Sequence, residues 1–340
     1  MTAASTPVPS PFGHHEVLSQ APVAIPADQR PEIGAISILP VNSIQPRYAE
    51  VVAEAGGDVA PLSTATRAVI HTSYRDVDTL INALEQYPEI GWVQLPYAGI
   101  DAFAERLRPH AERGVLFTSG KGAYAQPVAE HALMLTLALQ RQLPVRLRAT
   151  SWGTSSGLSL FGANIVIVGA GGIARELIRL LEPFGVSVTV VRRSLGAVAG
   201  ADHTVQFGEM DAVLPDADVV VLAAAATPET CGMIGTEQLR LMREDAVLVN
   251  IGRGPLVDTD ALVAALEAGE IYGAGLDVTN PEPLPDGHPL WSNDRCIITP
   301  HTADTPEMVL PLILRRVHDN VRAYVDHGRF VGIADPLIGY

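Results

Sequence analysis

The sequence predicts an α/β protein built of parallel sheets flanked by helices. Short apolar runs alternate with helical stretches from about residue 35 onward, the pattern of repeated strand–helix–strand units. The 340 residues correspond to about two domains at roughly 150 residues each. A 47% hydrophobic content is enough for sizeable cores and argues against a disordered chain.

Residues 1–31 are rich in Pro, Ala and Ser and read as a flexible tail or an arm over a neighbour. The adjacent His14 and His15 read as a solvated pair rather than a metal site. Ala35–Leu39, Ala68–His71, Trp92–Leu95 and Val115–Phe117 read as strands. Asp76 to Gln86 reads as a helix, with Val77, Leu80, Ile81 and Leu84 on one face. Pro127 to Arg141 reads as a helix apolar on nearly all sides, buried between domains or subunits. Glu130 and His131 within it read as packing or capping residues. A second series of strands follows: Ile165–Val168, Val188–Val191, Val219–Leu222, Val247–Ile251, Ala274–Val278 and Cys296–Thr299. Six strands with helical connections match a doubly wound fold. A last helix spans about Pro306 to His327.

Composition narrows the function classes. Acidic residues outnumber basic ones 38 to 23, a net charge of −15. Such a field repels nucleic acid and anionic membranes, so neither is an expected partner. Lys121 is the one lysine, so positive charge is arginine charge, suited to fork-like recognition of carboxylate or phosphate. Cys231 and Cys296 form no CxxC and read as two buried thiols in a reducing compartment; no metal site is expected. No signal segment is visible, and the uncharged stretch Thr154–Ala174 is broken by five glycines and three serines. The expected location is cytoplasmic.

Ile165–Val168 runs into Gly169-Ala170-Gly171-Gly172-Ile173-Ala174, a G-x-G-x-x-A turn between strand and helix. Gly169 permits the tight turn and Gly171 lets the backbone approach a pyrophosphate. Ala174 lets helix pack on strand, and the helix N-terminus offers N–H groups to phosphate. The second strand ends in Arg192-Arg193-Ser194, where an NAD site would carry Asp or Glu. Two guanidiniums and a hydroxyl suit a 2′-phosphate, which favours NADP(H) over NAD(H).

Three segments fall at carboxyl ends of strands in the second series: Asn250-Ile251-Gly252-Arg253-Gly254, Asp277-Val278-Thr279-Asn280-Pro281-Glu282-Pro283 and Thr299-Pro300-His301. In such folds ligands bind at these ends. An Arg there can clamp a carboxylate and polarise a carbonyl. A His can donate a proton as hydride arrives, and a Glu beside it favours the imidazolium.

In order and spacing these motifs resemble the D-isomer-specific 2-hydroxyacid dehydrogenases over nearly the whole chain after residue 35. The resemblance also rests on Ala98-Gly99-Ile100-Asp101, Val128-Ala129-Glu130, Thr227-Pro228-Glu229-Thr230 and His288-Pro289-Leu290-Trp291. It implies Arg253, Glu282 and His301 as the catalytic set. It places the substrate carboxylate on the backbone of Tyr97-Ala98-Gly99; apart from the resemblance, Tyr74, Arg75 and Tyr97 fall at strand ends where they can shape the acyl pocket, a surface or packing role being the alternative for Tyr74 and Arg75. It places Gly169, Gly171, Gly172, Ile173, Arg192, Arg193, Ser194, Ala224, Thr230 and Ile251 around the cofactor, and Asp277 near the nicotinamide amide. It implies a Rossmann doubly wound cofactor domain (126–304) inserted into a flavodoxin-like α/β substrate domain (32–125 with 305–340). The active site is then expected in the cleft, and the protein as a homodimer through the cofactor domain.

The implied reaction is reduction of a small anionic 2-oxo acid, glyoxylate or hydroxypyruvate first, to the D-2-hydroxy acid. The alternatives are a phosphoglycerate- or phosphite-type dehydrogenase of the same family, or a catalytically silent NAD(H)-sensing protein like the corepressors that share the fold. Three features depart from the family pattern, the first being Arg192 where NAD-using members carry Asp. Leu222 to Thr227 replaces a loop often bearing His and Pro, and Asp304 puts an acid just after the His301 motif.

Overall fold

The computed structural model describes residues 13–339 apart from Ser43 and Ala102. The chain divides into two compact units, one drawn from Met1–Tyr124 and Pro306–Tyr340, the other from Ala125–Thr305.

The first unit is built on a five-stranded sheet. Its strands run in the order Ile333–Ala334, Leu116–Thr118, Trp92–Gln94, Thr66–His71, Ala35–Leu39. All pairs are parallel except that of Ile333–Ala334. On the far side of Ala35–Leu39, Val59 makes a single parallel bridge to Ile36. Counting Val59 as a vestigial second strand gives the order 2-1-3-4-5 of flavodoxin-like sheets. The helix Val77–Gln86 buries Val77, Leu80, Ile81 and Leu84 against this sheet. Its N-terminus is closed by Asp76, whose carboxylate accepts the Thr79 N–H at 3.1 Å, a cap worth about 1 kcal/mol.

Residues 13–31 lie along this same unit, which corrects the reading of a tail or an arm over a neighbour; residues 1–12 fall outside the described residues. Val23–Ala24 pairs antiparallel with Arg329–Phe330, and the Val17 N–H donates to the Gly122 carbonyl at 3.0 Å. Glu16 meets Arg316 at 3.0 Å, and the Arg316 side chain is wholly buried. That guanidinium also donates to the Ser119 and Lys121 carbonyls. Burial pushes the Glu16 carboxyl above the usual range, an effect that Arg316 opposes.

The second unit holds a seven-stranded, wholly parallel sheet. The order is Cys296–Ile298, Gly273–Leu276, Val247–Asn250, Val219–Leu222, Asn164–Val168, Ser187–Arg192, His203–Gln206. In chain order this is 3-2-1-4-5-6-7, the doubly wound arrangement. The sequence indicates six strands; the seventh, His203–Gln206, is an edge strand with no fully buried residue, so it carries no apolar run. The apolar helix spans Ala125–Gln140 and packs within its own unit, against the helix Gly172–Leu181 and the strands Val247–Asn250 and Gly273–Leu276. Cys296 is buried but Cys231 is exposed, which corrects the expectation of two buried thiols. Among the described residues no helix is long and apolar enough to cross a membrane.

Candidate active site

The glycine turn joins the strand Asn164–Val168 to the helix Gly172–Leu181. Gly169 has φ +114°, and its N–H donates to the Val191 carbonyl at 2.8 Å. A side chain here would meet the Ala223 carbonyl at 2.6 Å, so the turn requires glycine for conformation and for closeness. Gly171 is different: a Cβ added there meets nothing within 4 Å. It stands exposed at the N-cap of the helix, which no side chain caps, so backbone N–H groups are left for an anion. Gly172 and Ile173 form the half-buried first turn, while Ala174, Leu177 and Leu181 are buried beneath. This open cradle fits a dinucleotide pyrophosphate.

Arg192 closes the second strand half-buried, and its guanidinium donates to the Ser194 hydroxyl at 2.8 Å. Arg193 and Ser194 are exposed. Ala224 is half-buried beside the glycine turn. Thr230 is buried and its hydroxyl is engaged within its own loop, receiving the Thr227 N–H at 2.8 Å and donating to the Ala225 carbonyl at 2.7 Å. Thr230 thus shapes the loop through its side chain. Ile251 is buried, its N–H bonded to the Leu222 carbonyl.

Arg253, Glu282 and His301 follow three adjacent parallel strands, so the sheet itself delivers all three to one edge. The turn bearing Arg253 is wrapped by the buried Asn250. The Asn250 side chain accepts the Gly252 N–H at 3.1 Å and donates to the Arg253 carbonyl at 2.9 Å. Arg253 also donates from its guanidinium to the Gly252 carbonyl at 2.8 Å. Glu282 Oε1 lies 2.7 Å from His301 Nδ1. A carboxylate only accepts, so Nδ1 carries the hydrogen and Nε2 is left to exchange a proton with a substrate. Both side chains are about half exposed, at 42% and 49%.

His301 has φ +52°, a left-handed conformation that costs a non-glycine residue roughly 1–2 kcal/mol. Asp277 holds it from both directions. Its carbonyl accepts the His301 N–H at 2.8 Å. Its carboxylate accepts the Thr302 N–H at 2.9 Å, the Ala303 N–H at 3.1 Å and the Thr299 hydroxyl at 2.6 Å. With its side chain 2% exposed and engaged by these groups, Asp277 anchors this loop. His131 also belongs here, Nε2 at 2.9 Å from the Thr299 hydroxyl, which corrects its reading as a packing or capping residue. Nothing in the sequence marked it, because its partner lies 168 positions away. Asp304 is half-buried just beyond. Burial raises its carboxyl to about 6, His301 opposing and Asp277 adding to the shift.

In the first unit, Tyr97-Ala98-Gly99 follows the strand Trp92–Gln94. The Tyr97 ring is buried, edge-on to Tyr74 at 5.5 Å and against Phe103 at 5.3 Å. Burial raises the Tyr97 hydroxyl above its ordinary range. Ala98 and Gly99 are half-buried. Tyr74 is 51% exposed and shares a hydrogen bond with the Tyr124 hydroxyl at 2.5 Å.

Residues 132–303 match the model of the D-isomer specific 2-hydroxyacid dehydrogenase, NAD binding domain. A glyoxylate reductase of Pyrococcus furiosus is 31% identical over 268 residues, 72% of this chain and 79% of the relative. An uncharacterised protein of Corynebacterium melassecola is 39% identical over 257 residues, 74% of this chain and 84% of the relative. A D-isomer specific 2-hydroxyacid dehydrogenase from Xanthobacter autotrophicus Py2, solved with NADPH and MES, superimposes with a TM-score of 0.76 at 25% identity, covering 91% of this chain and all of that one. The fold and these matches define a nicotinamide-dependent oxidoreductase. The chain belongs to the D-isomer specific 2-hydroxyacid dehydrogenases, and is an NAD(P)-dependent enzyme of that family.

Proposed function

We propose that this enzyme reduces a small 2-oxo acid, with glyoxylate and hydroxypyruvate as first candidates, to the D-2-hydroxy acid, using NADPH in preference to NADH. The observation that carries the reading is the 2.7 Å contact between Glu282 and His301 at the strand ends beside Arg253. A nicotinamide held at the glycine turn would supply the hydride. Arg253 binds the carboxylate and polarises the carbonyl. His301 gives its Nε2 proton to the carbonyl oxygen, and Glu282 balances the imidazolium. The backbone of Tyr97-Ala98-Gly99 receives the carboxylate, and Tyr74 borders the acyl group. The preference for NADPH rests on Arg192, Arg193 and Ser194 where a ribose-binding acid would stand.

A homodimer is part of the same reading. Leu147, Trp152 and Phe161, in and after the short helix Leu143–Arg148, are large apolar side chains 76%, 99% and 71% exposed, as residues covered by a second subunit would be. Light scattering at micromolar protein tests this; a monomer refutes it. The function is tested by steady-state oxidation of NADPH and NADH with a panel of 2-oxo acids, and by the reverse reaction with 3-phosphoglycerate. If no 2-oxo acid drives oxidation of either cofactor, the reductase reading fails.

A further inference from the structure

We propose that His131 is a positioning residue for the proton donor, acting through Thr299 and Asp277. The proposal rests on the assignment of His301 as that donor. The direction of the hydrogen bonds follows from the chemistry of the groups. The Thr299 hydroxyl lies 2.6 Å from Asp277 Oδ1, and a carboxylate can only accept, so the one hydroxyl proton is spent there. At 2.9 Å from His131 Nε2, the same oxygen must therefore accept, which makes Nε2–H the donor. His131 Nε2 also lies 3.5 Å from Asp277 Oδ1. A chain of donors thus runs from the helix Ala125–Gln140 through Thr299 to Asp277.

Asp277 in turn grips the chain around His301. Its carboxylate takes the N–H groups of Thr302 and Ala303, and its carbonyl takes that of His301. The left-handed His301 backbone is held between these contacts. The Thr299 hydroxyl, itself held by His131, adds a further contact on Oδ1 and so helps to fix the carboxylate plane in which the two oxygens meet the two amides. The imidazole of His301 is thus aimed by a polar network of the half-buried His131 and Thr299 and the buried Asp277.

The test uses His131→Phe and Thr299→Val, which keep volume and remove the donor or the relay. His131→Gln and Thr299→Ser restore an N–H and a hydroxyl. Four quantities are measured: kcat and KM for the 2-oxo acid, the NADPH dissociation constant by cofactor fluorescence, and amide exchange at Thr302 and Ala303 by NMR. The first pair is expected to lose kcat about tenfold or more through misaimed chemistry, with NADPH affinity within about twofold. Exchange at the two amides accelerates, and the restoring variants recover both readouts. Unchanged exchange in both Phe and Val variants overturns the proposal. So does a loss of NADPH affinity equal to the loss of kcat, which would place the network in cofactor binding instead. If the unmodified enzyme reduces no 2-oxo acid, the reductase reading falls, while the exchange measurement still decides whether His131 sets the His301 loop.

Discussion

Glu282 Oε1 receives the Nδ1 hydrogen of His301 at 2.7 Å, although the two residues sit 19 positions apart on separate strand-end loops. That contact holds the hydrogen on Nδ1, which in the proposed reaction leaves Nε2 to face the substrate. His301→Ala is expected to lower kcat about 10²–10⁴-fold, with NADPH binding retained. Glu282→Gln preserves an acceptor for Nδ1 and removes the charge that balances the imidazolium, so its loss should be smaller and confined to kcat. Steady-state kinetics with the best 2-oxo acid of the panel provide the check. Near wild-type turnover in His301→Ala would refute the proton-donor role.

Gly254 follows Arg253 and is buried against the Thr279 backbone of the loop that carries Glu282. A methyl group at Gly254 would collide with the Thr279 carbonyl, and neither backbone can yield without moving Arg253 or Glu282. Gly254→Ala should therefore cost activity and thermal stability together. Overpacking of this kind costs roughly 1–3 kcal/mol, and the misplacement of Arg253 should lower kcat/KM by about 10²-fold. Thermal unfolding and kinetics on one preparation test the pairing. A variant with unchanged Tm and activity would show that the two loops are not in register.

The cofactor preference is open to a charge reversal. Arg192 is half-buried at the end of the second strand and donates to the Ser194 hydroxyl at 2.8 Å. Arg192→Asp should weaken NADPH far more than NADH, since the carboxylate repels a 2′-phosphate and accepts from a 2′-hydroxyl. Fluorescence titration with both cofactors reads it. Equal effects on the two would refute the 2′-phosphate role.

What the sequence reveals follows from the range over which each signal acts. The glycine turn is legible because a strand, a tight turn and a helix start are local events written in six consecutive residues, Gly169 to Ala174. The edge strand His203–Gln206 is not, because an edge strand needs no apolar face and this one has none buried. The packing of the segment around Glu16 onto its own unit is invisible for another reason: its buried partner Arg316 is 300 positions away. His131 sits on an apolar helix, where packing is the natural reading, and only the folded chain brings Thr299 to it. Asp277 likewise reads from the sequence only as a group near a ligand; its hold on the Thr302 and Ala303 amides appears only in the folded chain.

Asp304 makes a prediction about stability and pH. Burial raises its carboxyl to about 6 in the folded chain, with the nearby Asp277 charge adding and His301 opposing. In the unfolded chain an aspartate titrates near 3.9. Between about pH 4 and 6 the folded state therefore keeps a proton that the unfolded state has lost. The contribution of Asp304 to stability therefore falls as pH rises through this window and changes no further above it. Asparagine has no proton to hold, so Asp304→Asn should gain stability relative to the unmodified chain as pH rises from 4 to 6. The gap should then stay constant to pH 8. Urea midpoints of both proteins at half-unit pH intervals measure it. A difference that does not change between pH 4 and 6 would show that Asp304 titrates in the folded protein as it does in water, with its carboxylate outside the buried loop that holds His301.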